Sequence, residues 1–471
     1  MKTKTRKFAA PIAALALCAV LLCGILAGCR AVAGEKEKKE DERTAHPVED
    51  TGITLELYQP DSARAGLWQT LAADYKAISG VNVNVASPGT EAPHAELREA
   101  LQEEKGGPAI FLFTHPREYR GWPDRAADVS GTQAYRQLID SRMALTADGK
   151  PVALPVAVEA FGVIYNKKIL DKYFALEDAA VASISEVNSS AQFDRLVKDM
   201  HEHKDALGIT GVFAAPAYKE GESGVWTTRL FSIPMGQELA ASRKELTAEK
   251  FEDLNWSGAA TAKSFYDLMT GHATVRENLE TRTHAQAVQE FAAGKAAFIL
   301  GGTEFLGNLN SAEGQTVTPE DIAFLPVMME AGNAAAQGLA FDVMEYAAIN
   351  SGLNEERRNA AADFLNWLYT SEKGMDFLAN KLNVIAPYKT QTAATLPNNP
   401  LSADAFAWLQ KEDVQNVVTW TSLTGGEEFR DKVLGAGMTA YHKGESNWDQ
   451  FREDVRKGWN EMRDSWEDMY K

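Results

Sequence analysis

The chain has 471 residues, with 66 acidic side chains against 48 basic ones and a formal charge of −18. That balance argues against nucleic acid or polyanionic surfaces as partners and reads as solubility. All three cysteines, Cys18, Cys23 and Cys29, fall near the start, which excludes disulfides and thiol chemistry from a body large enough for more than one domain.

The chain opens with the basic stretch MKTKTRK, followed by the apolar run FAAPIAALALCAVLLCGILAGC, which ends at Leu26-Ala27-Gly28-Cys29. Small residues before a cysteine predict a signal peptide over 1–28, cleaved ahead of Cys29, whose sulfur is then lipidated. An uncleaved anchor is the other reading, since the run could just span a bilayer. Both readings place the remainder outside the membrane. Removing Lys2, Lys4, Arg6 and Lys7 moves the charge from −18 to −22. Residues 29–51 are charged and lack apolar periodicity, which predicts a lipidated cysteine followed by a disordered tether.

ITLELYQ alternates as a strand does. Trp68, Leu71, Ala72 and Tyr75 then recur at helical spacing up to Gly80. VNVNVAS alternates again, HAELREALQEEKGG is amphipathic, and PAIFLFT is a short apolar strand. This β-α-β-α-β order predicts a parallel sheet with helices on its faces. Further on, KPVALPV and AFGVIYN read as two short strands, SAQFDRLVKDMHEH as a helix and GVFAA as a strand. HAQAVQEFAAGKAAFILGG reads as a helix running into a strand. Trp448, Phe451, Val455, Trp459, Met462 and Trp466 are spaced three or four apart, as in a closing helix or a partner-binding one.

No G-x-S-x-G elbow, phosphate-binding Walker loop or H-E-x-x-H zinc motif occurs, and the close pair His201 and His203 lies in a polar stretch. No catalytic residue, cofactor or metal is expected. A glycosidase pair stays open, with Glu159 and Glu304 as the candidates. Acids and aromatics do gather at the ends of apolar runs. Glu159 precedes FGVIYN, Glu304 and Phe305 follow AAFILGG, and Asp342 and Tyr346 lie in GLAFDVMEYAAIN. Open α/β sheets bind ligands at the carboxyl ends of their strands. Carboxylates there suit sugar hydroxyls, and aromatic faces suit the C–H-rich faces of sugar rings.

LPVAVEAFGVIYNKKIL resembles the crossover segment of the extracellular solute-binding proteins of sugar ABC importers, the family that includes maltose-binding protein. FAAGKAAFILGGTEFLGNL, IAFLPVM, the stretch from Phe341 to Leu378 and NVIAPYK continue the likeness in family order. The resemblance implies a two-lobed, type II periplasmic-binding-protein-like α/β fold with a ligand cleft between lobes joined by hinge strands. The chain would cross near Glu159, return near Pro326 and cross again near Pro387. One lobe would hold 52–158 and 328–385, the other 159–327 and 386–471. Glu159 would contact sugar hydroxyls, and Tyr165-Asn166-Lys167 would form a strand-end turn with Tyr165 near the cleft. A tryptophan usual after the GKAAF strand is replaced by Gly302-Thr303-Glu304-Phe305, leaving Phe305, Trp226 and Trp420 as stacking candidates and Glu304 as a hydrogen-bonding substitute.

The function implied is capture of a carbohydrate by a monomeric, lipid-anchored receptor that delivers it to an ABC permease. A secreted glycoside hydrolase, a ligand-presenting partner of a sensor kinase and a non-sugar ligand remain as alternatives.

Overall fold

The first helix, Ala65–Ser79, buries Trp68, Leu71, Ala72 and Tyr75 and stops where Gly80 turns left-handed at φ +70°. A Cβ on Gly80 would also collide with the Glu49 carbonyl, so only glycine fits this turn. The computed structural model describes residues 49–469 except 90–91, 103–106, 220, 242–253, 255, 257, 278, 330–335, 425 and 427. The expected signal peptide, Cys29 and all but the last residues of the expected tether lie outside the described residues. Among the described residues no helix is long and apolar enough to cross a membrane.

Strands β1 (Thr54–Tyr58), β2 (Asn82–Ala86) and β3 (Ile110–Phe113) pair in parallel, as the β-α-β-α-β reading requires. The expected pair of short strands at KPVALPV and AFGVIYN is instead one strand of 17 residues. After β4 (Leu145–Ala147), β5 runs unbroken from Lys150 to Asn166. β6 (Gly211–Phe213), β7 (Ala296–Gly302), β8 (Ile322–Leu325), β9 (Ala336–Ile349) and β10 (Val414–Thr419) complete the sheet. Its order is β2-β1-β3-β9-β5-β7-β6, with β10 on β9 and both β4 and β8 on β5.

β5 and β9 are antiparallel and serve both halves of this sheet. β9 pairs with β10 over Ala336–Asp342 and with β3 over Tyr346–Ile349. β5 pairs with β9 from Ala153 to Phe161 and with β7 and β8 further on. Pairing slips twice in the middle, leaving Val156 and Met344 without partners between Pro155–Tyr346, Ala157–Glu345 and Val158–Val343. Such bulges bend a strand and raise its twist, which lets one strand pass from one half to the other. The sequence reads as two runs because Ala157-Val158-Glu159, with its carboxylate, separates KPVALPV from AFGVIYN. The chain thus changes partners within β9, from β10 to β3. Beside the middle of β5, Val158 N donates to Ile385 O at 2.9 Å.

Asn166 ends β5 and caps the helix Lys167–Phe174, its side chain accepting from Lys168 N at 3.0 Å and Ile169 N at 3.4 Å. The closing helix Trp448–Met469 buries Trp448, Phe451, Val455 and Trp459 against its own domain. That accounts for the aromatic spacing of the tail.

Candidate ligand-binding site

Topology gathers strand ends at one place. β3 ends at Phe113 beside Tyr346, β10 ends at Thr419 beside Asp342, and β7 ends at Gly302 beside Phe161. Three carboxyl ends therefore converge on the middle of β5 and β9, where Glu159 and Asp342 stand directly opposite each other. Residues directly opposite in an antiparallel pair present side chains to the same face.

Arg229, on the helix Ser223–Ala241, organises this face. Its Nη2 donates to Glu159 Oε2 at 2.8 Å, and its Nη1 lies 3.1 Å from Glu304 Oε1. The guanidinium carbon sits 5.7 Å from the centroid of the Phe161 ring. The Arg229–Glu304 pair rests directly on Gly302, where any Cβ would collide with both partners. Asp342 accepts from Thr421 N at 2.7 Å and from the Thr421 hydroxyl, and lies 3.5 Å from the Thr419 hydroxyl. Arg117, in the turn after β3, donates to Ser422 O at 3.0 Å and ties the loops beyond β3 and β10 together.

Two carboxylates compete for one guanidinium. Burial raises the Glu159 carboxyl to about 8, with Arg229 opposing and Glu304 reinforcing. Burial also works against the Glu304 charge, but Arg229 and a hydrogen bond from Glu159 outweigh it and hold Glu304 low. Burial thus favours the protonated form of Glu159, while Arg229 favours the charged form of Glu304. Burial lifts Asp342 to about 6, although the Thr421 hydrogen bonds stabilise its charge.

The structure brings Glu159, Glu304 and Asp342 together. The aromatic candidates are placed otherwise. Phe305 is 1% exposed and packs edge-on against Phe291 at 5.5 Å. Tyr346 is fully buried, stacked on Phe113 at 5.4 Å, and accepts from Trp420 Nε1 at 2.8 Å. Trp420 is itself buried. Trp226 is half-buried, stacks on Tyr266 at 6.2 Å and donates to Ala217 O at 2.6 Å. Phe305, Tyr346 and Trp420 are thus enclosed in the core, and Trp226 keeps part of its surface exposed. Tyr165 lies six residues beyond Glu159 along β5, roughly 20 Å away in an extended strand.

Sequence reasoning missed Arg229, Gly302, Thr421 and the bulged Met344. Arg229 carried one faint signal, a lone cation in the otherwise uncharged stretch VWTTRLFSIPMG. Among the described residues no group of histidine, cysteine and carboxylate side chains could hold a metal ion.

The family described as bacterial extracellular solute-binding protein matches residues 70–400. No curated protein matches the chain in sequence. Solved structures do match in fold. A family 1 extracellular solute-binding protein from Bifidobacterium longum subsp. infantis aligns with a TM-score of 0.61 at 15% identity, over 86% of this chain and 98% of its own. Apo RafE from Streptococcus pneumoniae aligns with a TM-score of 0.59 at 13% identity, over 87% and 98%. A cyclic alpha-maltosyl-1,6-maltose binding protein from Arthrobacter globiformis gives 0.57 at 16% identity, over 88% and 99%. At such identities the likeness is one of fold: mixed α/β, two-lobed, with a curled sheet.

Proposed function

The chain belongs to the bacterial extracellular solute-binding proteins, and from that premise we propose that it is a cell-surface receptor that captures a carbohydrate and delivers it to an ABC permease. Lipid on Cys29 anchors it, and the charged stretch that follows holds the folded body away from the membrane. The observation that carries the reading is the convergence of three strand ends on Glu159, Asp342, Glu304 and Arg229. These groups accept and donate hydrogen bonds in fixed directions, as sugar hydroxyls require.

The lobes, 52–158 with 328–385 and 159–327 with 386–471, close around the ligand. β5, β9 and the segment at Pro387 act as hinges, and contacts to both sides select the closed state. The closed form docks on the permease as a monomer. No bond is made or broken. Glu159 and Glu304 are both engaged by the one Arg229 guanidinium, an arrangement that supports holding a ligand rather than cleaving it. The fold neighbours named for sugars support carbohydrate as the ligand class.

Thermal unfolding of the purified full chain against a panel of mono- and oligosaccharides tests this. Ligand at 100 times Kd adds about 2.7 kcal/mol, enough for a visible rise in Tm. A rise with one sugar class, and the sugar recovered intact, supports the receptor. Shortened sugar in the recovered material would instead establish a hydrolase.

A further inference from the structure

We infer that Met344 is the apolar ligand contact of this site and a determinant of which sugar rings it accepts, an assignment that rests on the carbohydrate-receptor reading above. β9 is an internal strand, and Met344 is its one exposed residue, at 43%, between Val343 at 1% and Glu345 at 4%. Its exposure does not come from a sheet edge left to solvent at a strand terminus. It comes from the gap in pairing: β10 stops at Asp342 and β3 stops at Tyr346, so Met344 stands where two carboxyl ends face each other. The bulge leaves it unpaired on the β5 side as well, and bulges re-aim side chains beside binding sites.

An exposed methionine in the middle of a sheet adds less to folding by burial than its buried neighbours do. It sits two residues along β9 from Asp342, which stands opposite Glu159. The four exposed large apolar residues among those described are Leu67 and Ile78 on the first helix, Val225 and Met344. Val225 lies four residues before Arg229 on the same helix, hence on the same face. An apolar side chain thus shares the helix face that carries Arg229. A thioether is flexible and polarisable and packs on curved C–H-rich surfaces. It takes the place of the flat ring absent after β7, where Phe305 is buried. The ligand class is a saccharide that turns a C–H-rich ring face to β9, with fewer demands on ring geometry than an indole would make.

The test uses the purified full chain with maltotriose, raffinose, diacetylchitobiose and xylotriose, taking the tightest binder by calorimetry as the probe. Met344→Ala is expected to weaken that binder about five- to tenfold, with the Tm of the ligand-free protein unchanged. Met344→Leu stays within about twofold of the original. In dilute hydrogen peroxide Met344 oxidises ahead of Met143 and Met200, which are fully buried, and saturating probe slows its oxidation severalfold by peptide mass spectrometry. If a sugar binds but Met344→Ala binds it equally and the oxidation rate is the same with and without it, the assignment is overturned and the receptor reading stands. If none of the four sugars binds, the carbohydrate reading falls and the assignment falls with it.

Discussion

Glu159 is a carboxyl group inside a strand of buried apolar residues, and its environment makes it titrate far from the usual range. Folded, it titrates near 8 against an ordinary value of 4.5, because burial disfavours its charge and Glu304 already occupies Arg229. Between those values the folded chain holds a proton that the unfolded chain has lost. Stability therefore falls as pH rises toward 8, by up to about 1.4 kcal/mol per pH unit for one proton. Glu345, raised by burial to about 7, and Asp342, at about 6, add to the same trend at lower pH. His115, which burial pushes down to about 3, opposes it below about pH 6.5. Glu118 is likewise raised by burial to about 7, so from pH 7 to 8 Glu159 is the largest contributor, and a Glu159 variant separates it from Glu118 and Glu345. There the Tm of the ligand-free protein should drop, and Glu159→Gln should flatten the slope. An equal slope in the variant would remove Glu159 as its source.

The elements position the site through two tight seats. Gly302 leaves room for the Arg229–Glu304 pair at the end of β7, and Gly302→Ala should cost about 1–3 kcal/mol by overpacking while weakening ligand binding. Urea unfolding and calorimetry read the two effects, and a variant as stable and as tight as the original would show the seat to be slack. Asp342 fastens the start of the 3-10 turn Thr421–Thr424 to β9. Asp342→Ala should cost about 1–3 kcal/mol, the penalty for a polar group left unpaired, and should speed amide exchange at Thr421.

Much of this was legible locally. Glu159 announced itself because a carboxylate in an apolar run needs an opening or a partner, and Asn166 because its side chain caps the next helix. Arg229 was not legible, since its meaning depends on partners 70 residues before it and 75 after it. The environment of the aromatics was not legible for a related reason. Phe305, Tyr346 and Trp420 lie in or just after strands and Trp226 on a helix, and whether such a ring packs in the core depends on partners distant in sequence. β5 read as two strands because Glu159 breaks the apolar run and the slipped register hides a continuous pairing.

At the scale of the whole molecule, the absence of cysteine beyond Cys29 leaves packing to hold the body together. The closing helix is part of that packing: Trp459 is fully buried between Trp256 and Phe429, with ring centroids 5.8 Å from each. Trp459→Ala should cost about 3–5 kcal/mol in urea unfolding, and a loss within error of zero would free the helix for another role. In the proposed closure, the two strands that belong to both halves of one sheet, β5 and β9, are the hinge and the ligand lies between the lobes. The account's central claim is that this occupant is a sugar held at Glu159. Calorimetric titration of the full chain and of Glu159→Ala with the best sugar of the panel tests it most directly. The account predicts one-site binding by the original chain and a loss of about 0.5–1.5 kcal/mol in the variant, the worth of a hydrogen bond to an uncharged acid. Equal affinity in both chains would contradict it.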